Sequence, residues 1–372
     1  MIPVSRPEVT EKDIEAVTQA LRDTQISGES APVRELESSL SAYLGVDNVM
    51  AVANGTTALD LVFEALDLGI GHTVIVPNFT IISSVSNLLR RGVQLLTIDS
   101  LEGSWCMNSN DVDDALNETI AAVVAVHMYG LPVNLDTFIK KSRALGATLV
   151  EDSAESLGLE YNGRRCGSLG DVSTFSFFAN KIISGGEGGA IATNNLLLAN
   201  EIKSLRNLYF SPKERFMHEK LGWNARMHGL SAALANSQLS RIDDLRSRKK
   251  AAAKRYLDGL RDHPWLDFQS EKTDYAENDY WVFGILLNSD CPYGASEYRA
   301  ILRNLEVDTR RFFCPISLQP LASDYRIKHF SDNNISENLW HRGLYIPSGN
   351  GITNSEIDQT IEAIWKSVNV SI

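Results

Sequence analysis

The chain has 372 residues, 44% hydrophobic and 22% charged, the balance of a globular protein too long for one ordinary core. Its 35 basic and 47 acidic side chains leave a formal charge of −12, which argues against nucleic acid or an anionic membrane surface as a partner. Four scattered cysteines, Cys106, Cys166, Cys291 and Cys314, offer no disulfide framework and no metal-ligand spacing. With no signal peptide and no apolar run long enough to span a bilayer, the expected location is the cytoplasm.

The first two-thirds of the chain alternates helices and strands. Ile14, Val17 and Leu21 predict a helix over Glu11–Arg22. Val33, Leu36, Leu40 and Leu44 predict a second, stopped by Gly45. Val49 to Ala53 reads as a strand and Thr57 to Leu66 as a helix. Val74 to Val76, Val93 to Ile98, Ile120 to Val126 and Ala147 to Val150 read as buried strands. Apolar strands separated by helices predict a mostly parallel α/β sheet covered on both faces, with functional residues at the strands' carboxyl ends. Ser231 to Leu260 reads as one long helix or two abutting ones, with a charged stretch, Asp243 to Lys250, expected to be solvated. Tyr280 to Leu287 then reads as a strand, with helices over Glu297 to Leu305 and Asn354 to Val368. The expected division is a large domain over 1–240 and a smaller α+β domain over 241–372.

Three segments carry chemistry. Leu149-Val150-Glu151-Asp152 is a strand end that delivers two carboxylates. Ser173 to Lys181 is an aromatic strand with a hydroxyl at Ser176 and an amine at Lys181, followed by glycines from Gly185 to Gly189. At Asn54-Gly55-Thr56-Thr57 a strand turns into a helix whose free amides suit a phosphate. An acid, a hydroxyl, a lysine and a glycine run are what pyridoxal phosphate (PLP) needs: a pyridinium partner, a phosphate ligand, an amine for its aldehyde and backbone close to a flat ring. Each member alone has a plainer reading. Asn54 or Thr56 would cap any helix, Asp152 could be a surface acid, Lys181 a solvated lysine and the glycines a turn. No His/Cys/Asp cluster lies near Asp152 in sequence, so no metal is expected.

These residues resemble the DegT/DnrJ/EryC1/StrS sugar aminotransferases, which have the fold-type I PLP architecture. The resemblance runs over nearly the whole length. It includes Ile2 to Pro7, Asn54 to Leu59, Val126 to Gly130, Glu151 to Gly158, Phe175 to Gly189, Gly222 to Met227 and Thr309 to Phe313. Within that family the chain is most similar to the GDP-perosamine synthases. The resemblance implies roles. Lys181 would hold the cofactor and move the proton, and Asp152 would pair with the ring nitrogen. Glu155 would lie near the ring hydroxyl or the substrate. Gly55, Thr56 and Ser176 would hold the phosphate, and Asn224 would reach the phosphate of a neighbouring subunit. The bland alternative for Asn224 is a turn cap. Arg310 and Arg311 would meet the substrate's pyrophosphate, or else form a surface pair.

The implied reaction moves an amine from L-glutamate to a nucleotide-linked keto sugar, foremost C4 of GDP-4-keto-6-deoxy-mannose, in a homodimer with shared sites. Another nucleotide sugar, or amination at C3, is the alternative. A related deoxygenating branch has His at the lysine position, and a non-catalytic relative would be expected to lose Asp152 or Lys181; this chain has both residues. It departs from many relatives at Ile81, where they place an aromatic over the ring, at Ser317, where they have His, and at Asn207-Leu208-Tyr209.

Overall fold

The computed structural model describes residues 1–112, 119–211, 213–330, 332 and 334–368. An eight-stranded sheet forms its centre. Across it run Asn48–Val52, Gly189–Thr193, Val172–Ser176, Thr148–Asp152, Ile120–Val126, Thr73–Pro77, Gln94–Ile98 and Ile327–His329. Seven strands share one direction and Gly189–Thr193 alone opposes them. The expected α/β architecture is present, and the exception has a simple cause. A parallel return needs a crossover of a dozen or more residues, usually a helix. The segment between Ser176 and Gly189 contains no helix and folds straight back on its own strand.

The predicted boundaries shift by one to three residues in most elements. Thr73–Pro77 and Ile120–Val126 are buried almost throughout, as near-continuous apolar strands demand. The helix after the first strand is Gly55–Ala65, with Asn54 as its cap. Ser231 to Leu260 resolves into two helices, Gly229–Leu239 and Ile242–Leu260. The charged stretch is not wholly solvated: Leu245 and Lys249 point inward, and Lys249 is only 5% exposed.

The second unit is a four-stranded antiparallel sheet in the order Leu266–Phe268, Phe283–Leu287, Gly343–Ile346, Arg310–Arg311. Its apolar core joins Phe283 and Ile285 to Tyr256 and Leu260 from the long helix, and to Tyr298, Ile357 and Ile364. Among the described residues two strand pairings cross a division at residue 240. Ile327–His329 pairs in parallel with Gln94–Ile98 at the edge of the large sheet. Ile2 bridges to Val307, its amide bonding the Glu306 carbonyl at 2.8 Å. Neither pairing has a local sequence signal, because both join segments more than 200 residues apart. Among the described residues no helix is long and apolar enough to cross a membrane.

Candidate active site

A cavity of about 580 Å³ opens at the carboxyl ends of the central strands. It brings together Gly55, Thr56, Ile81, Asp152, Glu155, Ser176, Lys181 and Arg310, which are distant in sequence. Strand alternation separates the paired acids. Asp152 faces the cavity, while its neighbour Glu151 turns to the opposite side of the sheet.

There Glu151 accepts from the amides of Leu169 (3.0 Å) and Gly170 (2.9 Å), from Gly167, and from His127 Nε2 at 2.9 Å. His127 Nδ1 in turn accepts from the Val133 amide at 3.2 Å, so Nε2 carries the ring proton. Burial alone would raise the Glu151 carboxyl, but the His127 bond and the loop amides hold it below its ordinary value. His127, Glu151 and Cys166 place their ligand atoms within 4.8 Å of one another, a grouping invisible in sequence. The hydrogen bonds account for its histidine and carboxylate as loop anchors.

Asp152 is 2% exposed and takes a bond from Ser84 Oγ at 2.9 Å and from the Ala154 amide at 3.2 Å. Thr80 Oγ lies 3.0 Å from Ser84 Oγ and extends the chain of hydroxyls. Burial raises the Asp152 carboxyl despite the Ser84 and Ala154 bonds and the nearby Lys181 charge. A cation set against it would bring it down again. Lys181 lies opposite, its Nζ 3.9 Å from Glu155 Oε1 and 3.7 Å from the centre of the Trp281 ring. Burial lowers the Lys181 ammonium, and Glu155 and Asp152 oppose that shift. Burial also pushes Glu155 up to about 7, although Lys181 and the Tyr129 amide at 2.9 Å favour its charged form.

The far end of the cavity is a phosphate-sized cradle. Asn54 Oδ1 takes the Thr57 amide at 2.8 Å, which leaves the Gly55 and Thr56 amides unused by the helix. Thr56 and Ser83 hydroxyls meet at 3.0 Å beside them. A Cβ on Gly55 would stand 2.9 Å from the Ser176 Cβ, so only glycine lets the helix start close on the strand end that bears Ser176. Two free amides, three hydroxyls, a carboxylate and an amine in one cavity fit the groups of pyridoxal phosphate.

Several sequence expectations need correction. The glycine run does not line the cavity; of Gly185 to Gly189 only Glu187 does. Gly189 instead abuts the Asn54 and Phe175 backbones, where a Cβ would come within 2.7 Å, so that glycine serves chain packing. Arg310 and Arg311 part company, because adjacent strand residues face opposite ways. Arg310 lines the cavity, and its guanidinium has no bonded partner among the described residues. Arg311 is stacked 3.5 Å over the Trp340 ring and bonds the Trp340 carbonyl at 2.7 Å, away from the cavity. Asn224 is exposed and does not line this chain's cavity. Ile81 is 43% exposed at the cavity wall, whereas Phe79 is buried against Tyr129, Phe312 and Phe313.

The sequence reading also missed Ser84, Trp281 and Tyr345. The Trp281 indole donates to the Asn180 carbonyl at 3.0 Å, which fixes its ring beside the residue that follows, Lys181. No local pattern marks these three, since each is placed by tertiary packing.

Comparison with known proteins agrees with this geometry. The DegT/DnrJ/EryC1/StrS aminotransferase family model matches residues 7–365. GDP-perosamine synthase of Escherichia coli O157:H7 is 31% identical over 363 residues, covering 98% of this chain and 97% of that protein. The GDP-perosamine synthase of Vibrio cholerae is 29% identical over 373 residues, 99% of this chain and 100% of that protein. The fold also matches E. coli GDP-4-keto-6-deoxy-D-mannose-3-dehydratase with bound hydrated PLP, at a TM-score of 0.90 and 21% identity, over 98% of this chain and 99% of that one. The chain belongs to the DegT/DnrJ/EryC1/StrS aminotransferase family and is a pyridoxal-phosphate-dependent sugar aminotransferase.

Proposed function

We propose that the enzyme transfers the amino group of L-glutamate to C4 of GDP-4-keto-6-deoxy-mannose and so makes GDP-perosamine, in a homodimer with shared sites. The observation that carries this reading is the opposition of Lys181 to Asp152 and Glu155 in one cavity, with the unpaired Arg310 at its wall. Similarity to two GDP-perosamine synthases over nearly the full chain supports the sugar.

When bound, pyridoxal phosphate supplies an electron sink for breaking a C–H bond beside nitrogen. The protein does the rest. Gly55, Thr56 and Ser176 would hold the phosphate. Asp152 favours a proton on the ring nitrogen through its charge. Lys181 Nζ takes a proton from one carbon and returns it to another, so its lowered basicity suits the task. Glu155, 3.9 Å away, is placed to exchange a proton with that amine. Ile81, at the cavity wall, would give the ring an aliphatic contact, and the buried Trp281 excludes water from Lys181. Arg310 offers a planar fork to the sugar nucleotide's pyrophosphate. Asn224, exposed on its own subunit, is assigned to the partner's phosphate site.

Absorbance tests the reading. The purified enzyme should absorb in the visible, lose that band on adding glutamate and recover it with the correct nucleotide keto sugar. Borohydride should fix the cofactor on the peptide containing Lys181. A panel of GDP- and dTDP-linked keto sugars then tests the acceptor, and recovery with dTDP sugars alone would overturn the GDP assignment.

A further inference from the structure

Beside the main cavity lies a second chamber of about 240 Å³. The two share Phe178, Asn180, Trp281, Arg310 and Tyr345 as walls. Small-molecule sites run from about 300 to 1,000 Å³, so the main cavity is substrate-sized and the side chamber suits a fragment. Its floor is the N-terminal segment from Val4 to Pro7, tied to the facing loop by the Ser348 amide on the Val4 carbonyl (3.2 Å) and the Gly351 amide on the Arg6 carbonyl (3.0 Å).

Lys249 lines this chamber and has no use in the mechanism given above. Its Nζ donates to the Trp281 and Ser348 carbonyls, both at 2.6 Å, which leaves its third N–H unspent. Among the described residues no carboxylate lies within ion-pair distance of it. A buried ammonium without a counter-ion is costly, and groups so perturbed cluster at functional sites. Its position is also telling. Lys249 grips the Trp281 carbonyl, and the Trp281 ring covers the Lys181 amine. An anion on Lys249 would therefore be one side chain away from the reacting centre.

We propose that the side chamber is the amino-donor subsite, with Lys249 binding the carboxylate at the far end of a dicarboxylic amino acid. The inference rests on the aminotransferase reading and deepens it by giving the donor's selectivity a residue. It also divides the labour between the two cations of this region. Arg310, on the shared wall, serves the sugar nucleotide, and Lys249, sealed in the chamber, serves the donor. The opposing explanation is that Lys249 only staples the Trp281 and Ser348 backbones together.

Glutamate and glutamine separate the two, since they match in shape and differ in distal charge. In the wild-type enzyme, loss of the visible band should be about tenfold or more faster per mole of glutamate, the scale of one charge-assisted hydrogen bond. Lys249→Met should bring the two donors to within about twofold, and Lys249→Arg should restore much of the preference. A second readout needs no turnover: glutarate should bind the wild-type enzyme in calorimetry and lose about tenfold in affinity in Lys249→Met. The nucleotide keto sugar half-reaction should change far less. Equal losses for glutamate and glutamine in Lys249→Met would show a staple and overturn the proposal. So would a wild-type enzyme that treats both donors alike. A wild-type band that answers to neither donor would sink the underlying donor assignment instead. Should Lys249→Met not fold, Lys249→Gln and the wild-type donor comparison still decide.

Discussion

Lys181 and Glu155 hold their charged ends 3.9 Å apart in a site where both side chains are nearly inaccessible to water. Burial draws the two toward a common range, the amine downward and the carboxyl up to about 7. In the cofactor-free protein this has a sign that can be measured. Between the ordinary value of 4.5 and about 7, native Glu155 keeps a proton that the unfolded chain has released. The native state then binds more protons, so raising the pH through that window costs stability. The melting temperature of wild type should fall relative to Glu155→Gln from about pH 4.5 to 7 and then level. A difference that stays constant across the window would rule this out.

Asp152→Asn keeps the shape and removes the charge that favours a protonated ring nitrogen. Turnover should fall by orders of magnitude while the fold persists. A rate within about threefold of wild type would mean that less than roughly 0.7 kcal/mol was involved, and the role would be wrong. Ser84→Ala removes only the 2.9 Å bond to Asp152 and should cost about tenfold. An unchanged rate in Ser84→Ala would show that the hydroxyl does not hold the carboxylate in place.

Arg310 and Arg311 are adjacent in sequence and should behave as unlike residues. Arg310→Ala should raise the Michaelis constant for the sugar nucleotide and spare the glutamate half-reaction. Arg311→Ala should leave both constants near wild type and lower stability by about 1–2 kcal/mol, from the lost Trp340 contacts. Steady-state kinetics with thermal unfolding on both variants distinguishes this from a joint role at the pyrophosphate. Matching kinetic defects would refute the division.

Asn224 leads to a complementation test. Subunits carrying Lys181→Ala are mixed with subunits carrying Asn224→Ala under conditions that allow dimer exchange. If sites are shared, a mixed dimer has one site with both defects and one intact, so activity returns. If Asn224 serves only its own subunit, both mixed sites are damaged and nothing returns. The test needs Asn224→Ala to be impaired alone, and a fully active single variant would dispose of the phosphate contact.

What could be read from sequence and what could not divide along a physical line. Asp152 ends a strand and Gly55 starts a helix, where local periodicity fixes both the element and the direction of its end, and Lys181 follows five residues after the strand that ends at Ser176. Glu155 follows Asp152 by one turn of chain and was found through family resemblance. Ser84 and Trp281 carry no such mark, because they reach the site through contacts between segments far apart. Lys249 departs from the solvated stretch that its neighbours predict. Seven of the eight residues from Asp243 to Lys250 are polar or charged, which suggests solvent on every face. Helical spacing nevertheless carries Leu245 and Lys249 inward together, four residues apart on one side. Arg310 and Arg311 form a short strand, and its alternation alone sends one inward and one out.

The late strand Ile327–His329 also bears on how the chain is made. Until residue 327 leaves the ribosome, Gln94–Ile98 is an edge with a row of unpaired amides and carbonyls, and it carries the apolar Leu95 and Leu96. Asp152, Lys181 and Arg310 will by then have been synthesised. Nascent chains of this length therefore pass through a stage with the chemistry in hand and a sticky margin still uncovered. Early termination in that stretch should yield aggregates rather than a smaller working enzyme.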